Sequence, residues 1–265
     1  MANEHPPVVF VHGLWLHATS WTPWIERFAQ EGYDAVAPGW PGEPDTIDAA
    51  RKAPDAVAGS GIEDVVRRYA SVIKSLSAPP IVIGHSFGGL IAQRLLSDGH
   101  AAAAVAIDSA PIKGVIYLPP SALRVASIGL RNPANRKRAV ALTREQFRYG
   151  FANAVSQQES DTLYDAWNIP SPMRPLFEAA TANFAPHSPA KVDTKKAGRG
   201  PLLLTAGGQD HTVPPSIIKT TTRLYRKSPA VTDYVELPDR GHSLTVDSGW
   251  PGVADRALDW LTSHT

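Results

Sequence analysis

The pentapeptide Gly84-His85-Ser86-Phe87-Gly88 constrains the fold of this chain more than any other stretch, because it joins two segments of different periodicity. Before it, Ile81-Val82-Ile83 is short, β-branched and continuously apolar, as expected of a strand buried on both faces of a parallel sheet. After it, Leu90, Ile91, Leu95 and Leu96 recur at three-to-four spacing until Asp98-Gly99, where glycine supplies a helix stop. A serine between such a strand and such a helix reads as a nucleophile on a sharp elbow. The elbow holds its serine at a strained backbone position, and the residues two before and two after must be small for strand and helix to approach. Gly84 and Gly88 meet that need.

Five other short apolar runs read as strands: Pro7 to Val11, Ala35 to Ala37, Ala103 to Ile107, Leu202 to Thr205 and Tyr234 to Leu237. Helical patterns separate most of them. Thr22-Pro23 opens a helix carrying Trp24, Ile25 and Phe28 that closes at Gly32. Ile62, Val65, Val66, Tyr69, Ile73 and Leu76 have helical spacing, with Ser60-Gly61-Ile62-Glu63 as a capping box. Val253, Ala257, Leu258 and Leu261 mark a helix near the C-terminus. Strands alternating with helices predict an α/β fold, a mostly parallel, doubly wound sheet covered on both faces. One stretch breaks the alternation. From Ile107 to Leu202 the pattern is mostly helical, with helices expected over Pro120 to Ile128, Arg144 to Phe151, Glu159 to Trp167 and Pro175 to Phe184. That is too long for one crossover and reads as an inserted helical cap. The expected division is a core of residues 1–111 and 200–265 with a cap at 112–199. Residues 41–61 read as a long surface loop.

A formal net charge of +1, from 26 basic and 25 acidic residues, gives no reason to expect a nucleic-acid or membrane surface as partner. The local basic runs 131–138 and 191–199 are broken by Asn, Pro, Asp and Gly, carry no aromatic residues, and read as solvated loops. The absence of cysteine excludes disulfides, thiolate metal sites and thiol catalysis. No segment approaches the roughly 18 apolar residues that span a bilayer, and Met1 to His5 does not resemble a signal peptide. A soluble, cytoplasmic protein is the default expectation.

A serine hydroxyl needs a base, and the base an orienting acid. Asp210 follows the strand Leu202 to Thr205 in the loop Gly207-Gly208-Gln209-Asp210-His211-Thr212-Val213-Pro214. His242 follows the strand Tyr234 to Leu237 in Arg240-Gly241-His242-Ser243. Both lie at strand carboxyl ends, where doubly wound sheets collect their functional groups, and the order Ser86, Asp210, His242 is the one this architecture uses. Asp210 has a rival reading as the cap of a helix starting near Pro214, and Asp108, at another strand end, is a rival acid. Asp239 and Asp247 lack a strand-end context. His85 and His211 read as structural, and no pair of the nine histidines, His12 and His17 included, has metal-ligand spacing. The oxyanion formed when an ester is attacked needs preorganised N–H donors. The backbone amides of Leu14, in the turn His12-Gly13-Leu14-Trp15, and Phe87, at the start of the helix after the serine, are the candidates. Trp15 and Phe87 are candidates for contact with substrate.

With these residues the chain resembles the α/β-hydrolase superfamily, in particular capped serine esterases and cofactor-free haloperoxidase or perhydrolase relatives. The resemblance spans almost the whole length and rests on the turn at His12 to Trp15, the elbow at Gly84 to Gly89, the acid loop at Gly207 to Pro214 and Gly241-His242. Two antiparallel edge strands common in the family are missing from the pattern. The resemblance implies hydrolysis of a small, hydrophobic carboxylic ester through an acyl-enzyme, with no metal and no cofactor. Perhydrolysis, carbon–carbon or lactone hydrolysis, and a ligand receptor retaining the triad are the alternatives. Serine at the elbow argues against dehalogenase and epoxide hydrolase chemistry, which this fold performs with aspartate there.

Overall fold

The computed structural model describes residues 5–265. Six strands, β1 (Val8–Val11), β2 (Ala35–Val36), β3 (Ile81–His85), β4 (Ala103–Ile107), β7 (Leu202–Gly207) and β8 (Thr232–Leu237), pair in the order β2-β1-β3-β4-β7-β8, and every pairing is parallel. The order reverses between β1 and β3, so helices cover both faces. Side chains alternate between those faces. Val9 and Val11 of β1, Val82 of β3 and Leu202 and Leu204 of β7 join one apolar cluster, while Val8, Phe10, Ile81, Ile83 and Leu203 join the other. That is why these strands are apolar without interruption.

Helices α3 (Ile62–Ile73), α4 (Phe87–Asp98) and α9 (Pro215–Tyr225) pack on the first face. Helices α1 (Thr22–Gln30) and α10 (Trp250–Thr262) pack on the second, where Trp21, Trp24, Phe28 and Phe10 interlock as stacked and edge-on rings. Between β4 and β7 lie α5 (Pro120–Leu130), α6 (Arg144–Gly150), α7 (Gln157–Trp167) and α8 (Arg174–Ala180), with a short antiparallel ladder of β5 (Ala139–Val140) and β6 (Ser171–Pro172). Val125, Phe147, Phe151, Leu163 and Met173 from this segment are buried in the same cluster as α3 and α4.

Three local expectations are corrected. The start of α3 is not capped by Ser60 and Glu63: the Gly61 N–H donates to the Asp64 carboxylate at 2.9 Å, and the Ile62 N–H to Glu178 of α8 at 2.7 Å. Residues 41–61 contain a helix, α2 (Ile47–Lys52), which Thr46 caps by accepting from the Ala49 N–H. Arg199, in the second basic run, is buried and donates to the carbonyls of Gly200, Ala230 and Val231. No helix among the described residues is long and apolar enough to cross a membrane.

Candidate active site

Ser86 sits between β3 and α4 at φ 56°, ψ −121°. Such a conformation costs about 1–3 kcal/mol for a residue with a side chain, so its surroundings must impose it. The Ser86 N–H donates to the Ile107 carbonyl at 2.9 Å, and the Ser86 carbonyl accepts from the Ala110 N–H at 2.8 Å. A Cβ on Gly84 would strike the Gly88 carbonyl, and one on Gly88 the Val11 carbonyl. Glycine at these two positions lets β1, β3 and α4 close around the serine. Only two other non-glycine residues have positive φ among those described, Trp15 (66°) and Asp108 (43°). The three follow the carboxyl ends of β1, β3 and β4, which are neighbours in the sheet, so the backbone strain gathers at one edge.

The loops after β7 and β8 bring Asp210 and His242 together. His242 Nδ1 lies 2.6 Å from Asp210 Oδ2, and both side chains are fully buried. Asp210 Oδ1 accepts from the Thr212 and Val213 N–H groups at 2.6 and 2.8 Å, so the acid organises its own turn and does not cap α9. Burial alone raises the Asp210 pKa, but the charge and hydrogen bond of His242 and the Val213 N–H help to outweigh it and hold the carboxyl below its ordinary value. An ionised Asp210 makes Nδ1 the nitrogen through which His242 donates to it. Nε2 is then free as a base, and it is buried with no hydrogen-bond partner. The His242 ring lies 4.5 Å from that of His85, the neighbour of Ser86, and 4.6 Å edge-on from Phe151. Burial and the nearby His242 push the His85 pKa well down, so His85 stands beside the pair as a neutral ring.

The turn after β1 lies against the serine: a Cβ on Gly13 would be 2.7 Å from Ser86 Cβ and 3.3 Å from its Oγ. Neither the Leu14 nor the Phe87 N–H has a protein acceptor among the described residues. The next amide, Trp15 N–H, is taken by Ser171 Oγ at 2.6 Å, and the Trp15 indole donates to the Val140 carbonyl at 3.0 Å, which fixes the turn from the β5–β6 ladder. Ser86, Trp15 and Phe87 line a cavity of about 290 Å³, whose remaining walls are mostly apolar side chains of α5, α8 and the β4–α5 connection, among them Leu118, Val125 and Leu176. Ile116, Leu123 and Phe184, also on its lining, are exposed.

Two contributors escaped sequence reading. Phe151 follows α6 and walls in His242, but from sequence it is one apolar residue in a helical pattern. Glu43 lies in the stretch read as loop; its carboxylate is 3.0 Å from His12 Nε2 and 3.6 Å from His17 Nε2, in a pocket almost closed to solvent. Burial works against both charges, yet the pair wins: the His12 pKa is raised and that of Glu43 lowered. His12 thus anchors the turn that presents Leu14. Asp108, the rival acid read from the sequence, shares the cluster of Asp210 and His242: one ligand atom from each of the three lies within 4.8 Å of the others.

The family model for the Alpha/beta hydrolase family matches residues 8–256. The chain belongs to the alpha/beta hydrolase family. Solved structures with this fold superpose along nearly the full length. They include a monoacylglycerol lipase of Paleococcus ferrophilus (20% identity, 98% of this chain and 97% of that one, TM-score 0.66). An extracellular alpha/beta-hydrolase of a Paenibacillus species shares 19% identity over 96% and 98% of the two chains, with a TM-score of 0.68. Tomato methylketone synthase I, solved with 2-tridecanone, shares 14% over 98% and 99%, with a TM-score of 0.70. At these identities the likeness is one of fold. A search of curated proteins finds no match. As a member of the alpha/beta hydrolase family the protein is a hydrolase.

Proposed function

We propose that the protein hydrolyses carboxylic esters with an apolar acyl or alcohol chain, through a covalent acyl-enzyme on Ser86. The observation that carries this reading is the 2.6 Å contact between Asp210 and His242, whose ring lies 4.5 Å from that of His85, the chain neighbour of the strained Ser86. In the forward step His242 Nε2 takes the Ser86 proton as Oγ bonds to the carbonyl carbon, and Asp210 stabilises the imidazolium. The Leu14 and Phe87 amides donate to the developing oxyanion, a contribution of roughly 3 kcal/mol per donor. The imidazolium then protonates the leaving alcohol. Water, deprotonated by the same His242, releases the acid and restores the serine.

The helices of residues 112–199 act as a cap in this reading: they roof the cavity above Ser86, and their apolar walls favour a hydrocarbon group over a charged one. Trp15 and Phe87 form its floor. Perhydrolysis uses the same residues, with hydrogen peroxide in place of water, and lactone or carbon–carbon hydrolysis differs only in the bond presented to Ser86. A receptor that keeps the triad would show ligand-dependent thermal stabilisation without turnover.

The test is hydrolysis of p-nitrophenyl esters from acetate to long acyl chains by the wild type and by Ser86→Ala. The wild type is expected to show a chain-length optimum, and Ser86→Ala to lose about ten-thousand-fold in kcat while melting like the wild type. Unchanged turnover in a folded Ser86→Ala protein contradicts the proposal.

A further inference from the structure

The cluster at the end of β4, β7 and β8 holds one carboxylate more than a triad uses. Asp108 is 0% exposed and sits at a positive φ of 43°, so its position is imposed by its surroundings. Its Oδ1 accepts from the Gly207 N–H at 2.8 Å. Asp210 has both oxygens occupied, one by His242 and the other by two backbone amides. Asp108 Oδ2 alone is buried without a donor.

The charges around it do not balance two carboxylates. Asp108 faces Asp210 from the loop after β7 and His242 from the loop after β8. Tyr234 of β8 is close, but its phenol donates to Glu236 at 2.6 Å. His85, from β3, lies against His242 as a neutral ring. No lysine or arginine pairs with either acid among the described residues, and Arg240, nearest in the chain, pairs with Asp247. A second buried anion beside Asp210, with an unpaired oxygen and no cation, is strongly unfavourable. A proton on Asp108 Oδ2 removes the charge and turns the orphan acceptor into a donor aimed at Asp210.

We infer that Asp108 is a positioning residue: a neutral carboxylic acid that hydrogen-bonds to Asp210, so that His242 meets one fixed, singly charged carboxylate. The inference rests on Asp210 being the triad acid. Burial and the adjacent Asp210 charge hold the Asp108 carboxyl well above the ordinary carboxylate range, in agreement with the geometry.

Asparagine copies the protonated acid: one oxygen for the Gly207 N–H, one N–H for Asp210, no charge. The experiment compares wild type, Asp108→Ala, Asp108→Asn and Asp210→Asn by kcat, KM and the pH profile of kcat/KM on an activated ester, between about pH 5 and 10. Asp108→Ala is expected to lose about tenfold or more in kcat with KM little moved, and Asp108→Asn to recover most of that loss. The acid limb, which reports His242 in the free enzyme, should stay within about 0.3 pH of wild type in Asp108→Asn, because no charge has been removed.

A downward shift of that limb by about one pH or more in Asp108→Asn shows that Asp108 is an anion and overturns the inference. Equal kcat in the wild type and Asp108→Ala overturns it as well. Where Asp108→Ala does not fold, the limb of Asp108→Asn still decides. Asp210→Asn keeps the two readings apart: it should lose about a thousandfold or more. If Asp210→Asn is active and Asp108→Asn is not, the triad assignment itself has failed and Asp108 is the acid.

Discussion

At the carboxyl edge of the sheet, position is set by backbone, whereas the helices above that edge are tied down by side chains. Among the described residues the edge carries all three positive-φ residues with side chains, Trp15, Ser86 and Asp108, two unpartnered amides and two buried acid–histidine pairs. The helices α5 to α8 are held by contacts such as Glu178 to the Ile62 N–H, Arg51 to the carbonyls of Asp165 and Asn168, and Glu159 to the Ser248 N–H. Strain and buried charge tolerate few sequences and, in the proposed reaction, fix the chemistry; apolar walls hung on exchangeable ties would set what enters.

The largest effect expected from breaking this contrast comes at the elbow. Gly84→Ala places a methyl against the Gly88 carbonyl, backbone that cannot yield cheaply. A loss of about 4 kcal/mol or failure to fold is expected, read by chemical denaturation. A substitution as small on the apolar wall, such as Val125→Ala, should cost far less.

Next is the Glu43–His12 pair, buried on both sides. Glu43→Gln is expected to cost roughly 3 kcal/mol, because it leaves His12 without its counter-charge. The pH dependence follows from the two shifts. His12 has a raised pKa, so its contribution is complete below the unfolded value near 6.5 and is lost as pH rises through the folded one. Glu43 has a lowered pKa, so its contribution is complete above the unfolded value near 4.5 and is lost as pH falls through the folded one. The difference in Tm between wild type and Glu43→Gln should therefore be greatest between these two values and shrink on either side. A difference flat across pH would show the pair to be uncharged.

Filling the cavity tests the other region. Ala122→Leu, on the wall of α5, should move the acyl-chain optimum to shorter esters, changing kcat/KM for long chains by about 10- to 100-fold and for acetate little. The smallest effect is expected at a tie: Glu178→Gln keeps an acceptor for the Ile62 N–H but weakens the contact with Arg174, for about 1 kcal/mol by thermal melting.

The same contrast explains what was legible in the sequence. The elbow, the six strands and the loops bearing Asp210 and His242 were readable because each is a local pattern: an apolar run, then a glycine-rich turn. The Ser60–Glu63 box was misplaced by one residue because the cap uses Asp64 and a side chain from the distant α8. Glu43 and Phe151 gave no local signal, since their roles arise from contacts with residues remote in the chain. Asp108 was visible as a strand-end acid, but whether it competes with Asp210 or supports it depends on the count of donors around both. The 108–201 segment gave up its helices and not its cavity, because a cavity is formed by residues from several of them.

The proposed reaction requires Ser86 to be the nucleophile that His242 activates. The direct measurement is intact-protein mass after treatment with a fluorophosphonate, with peptide mapping of the adduct. A single adduct on Ser86, none on Ser86→Ala and greatly slowed labelling of His242→Ala are expected. A folded wild-type protein that takes up no label, or takes it up at another residue, would contradict it.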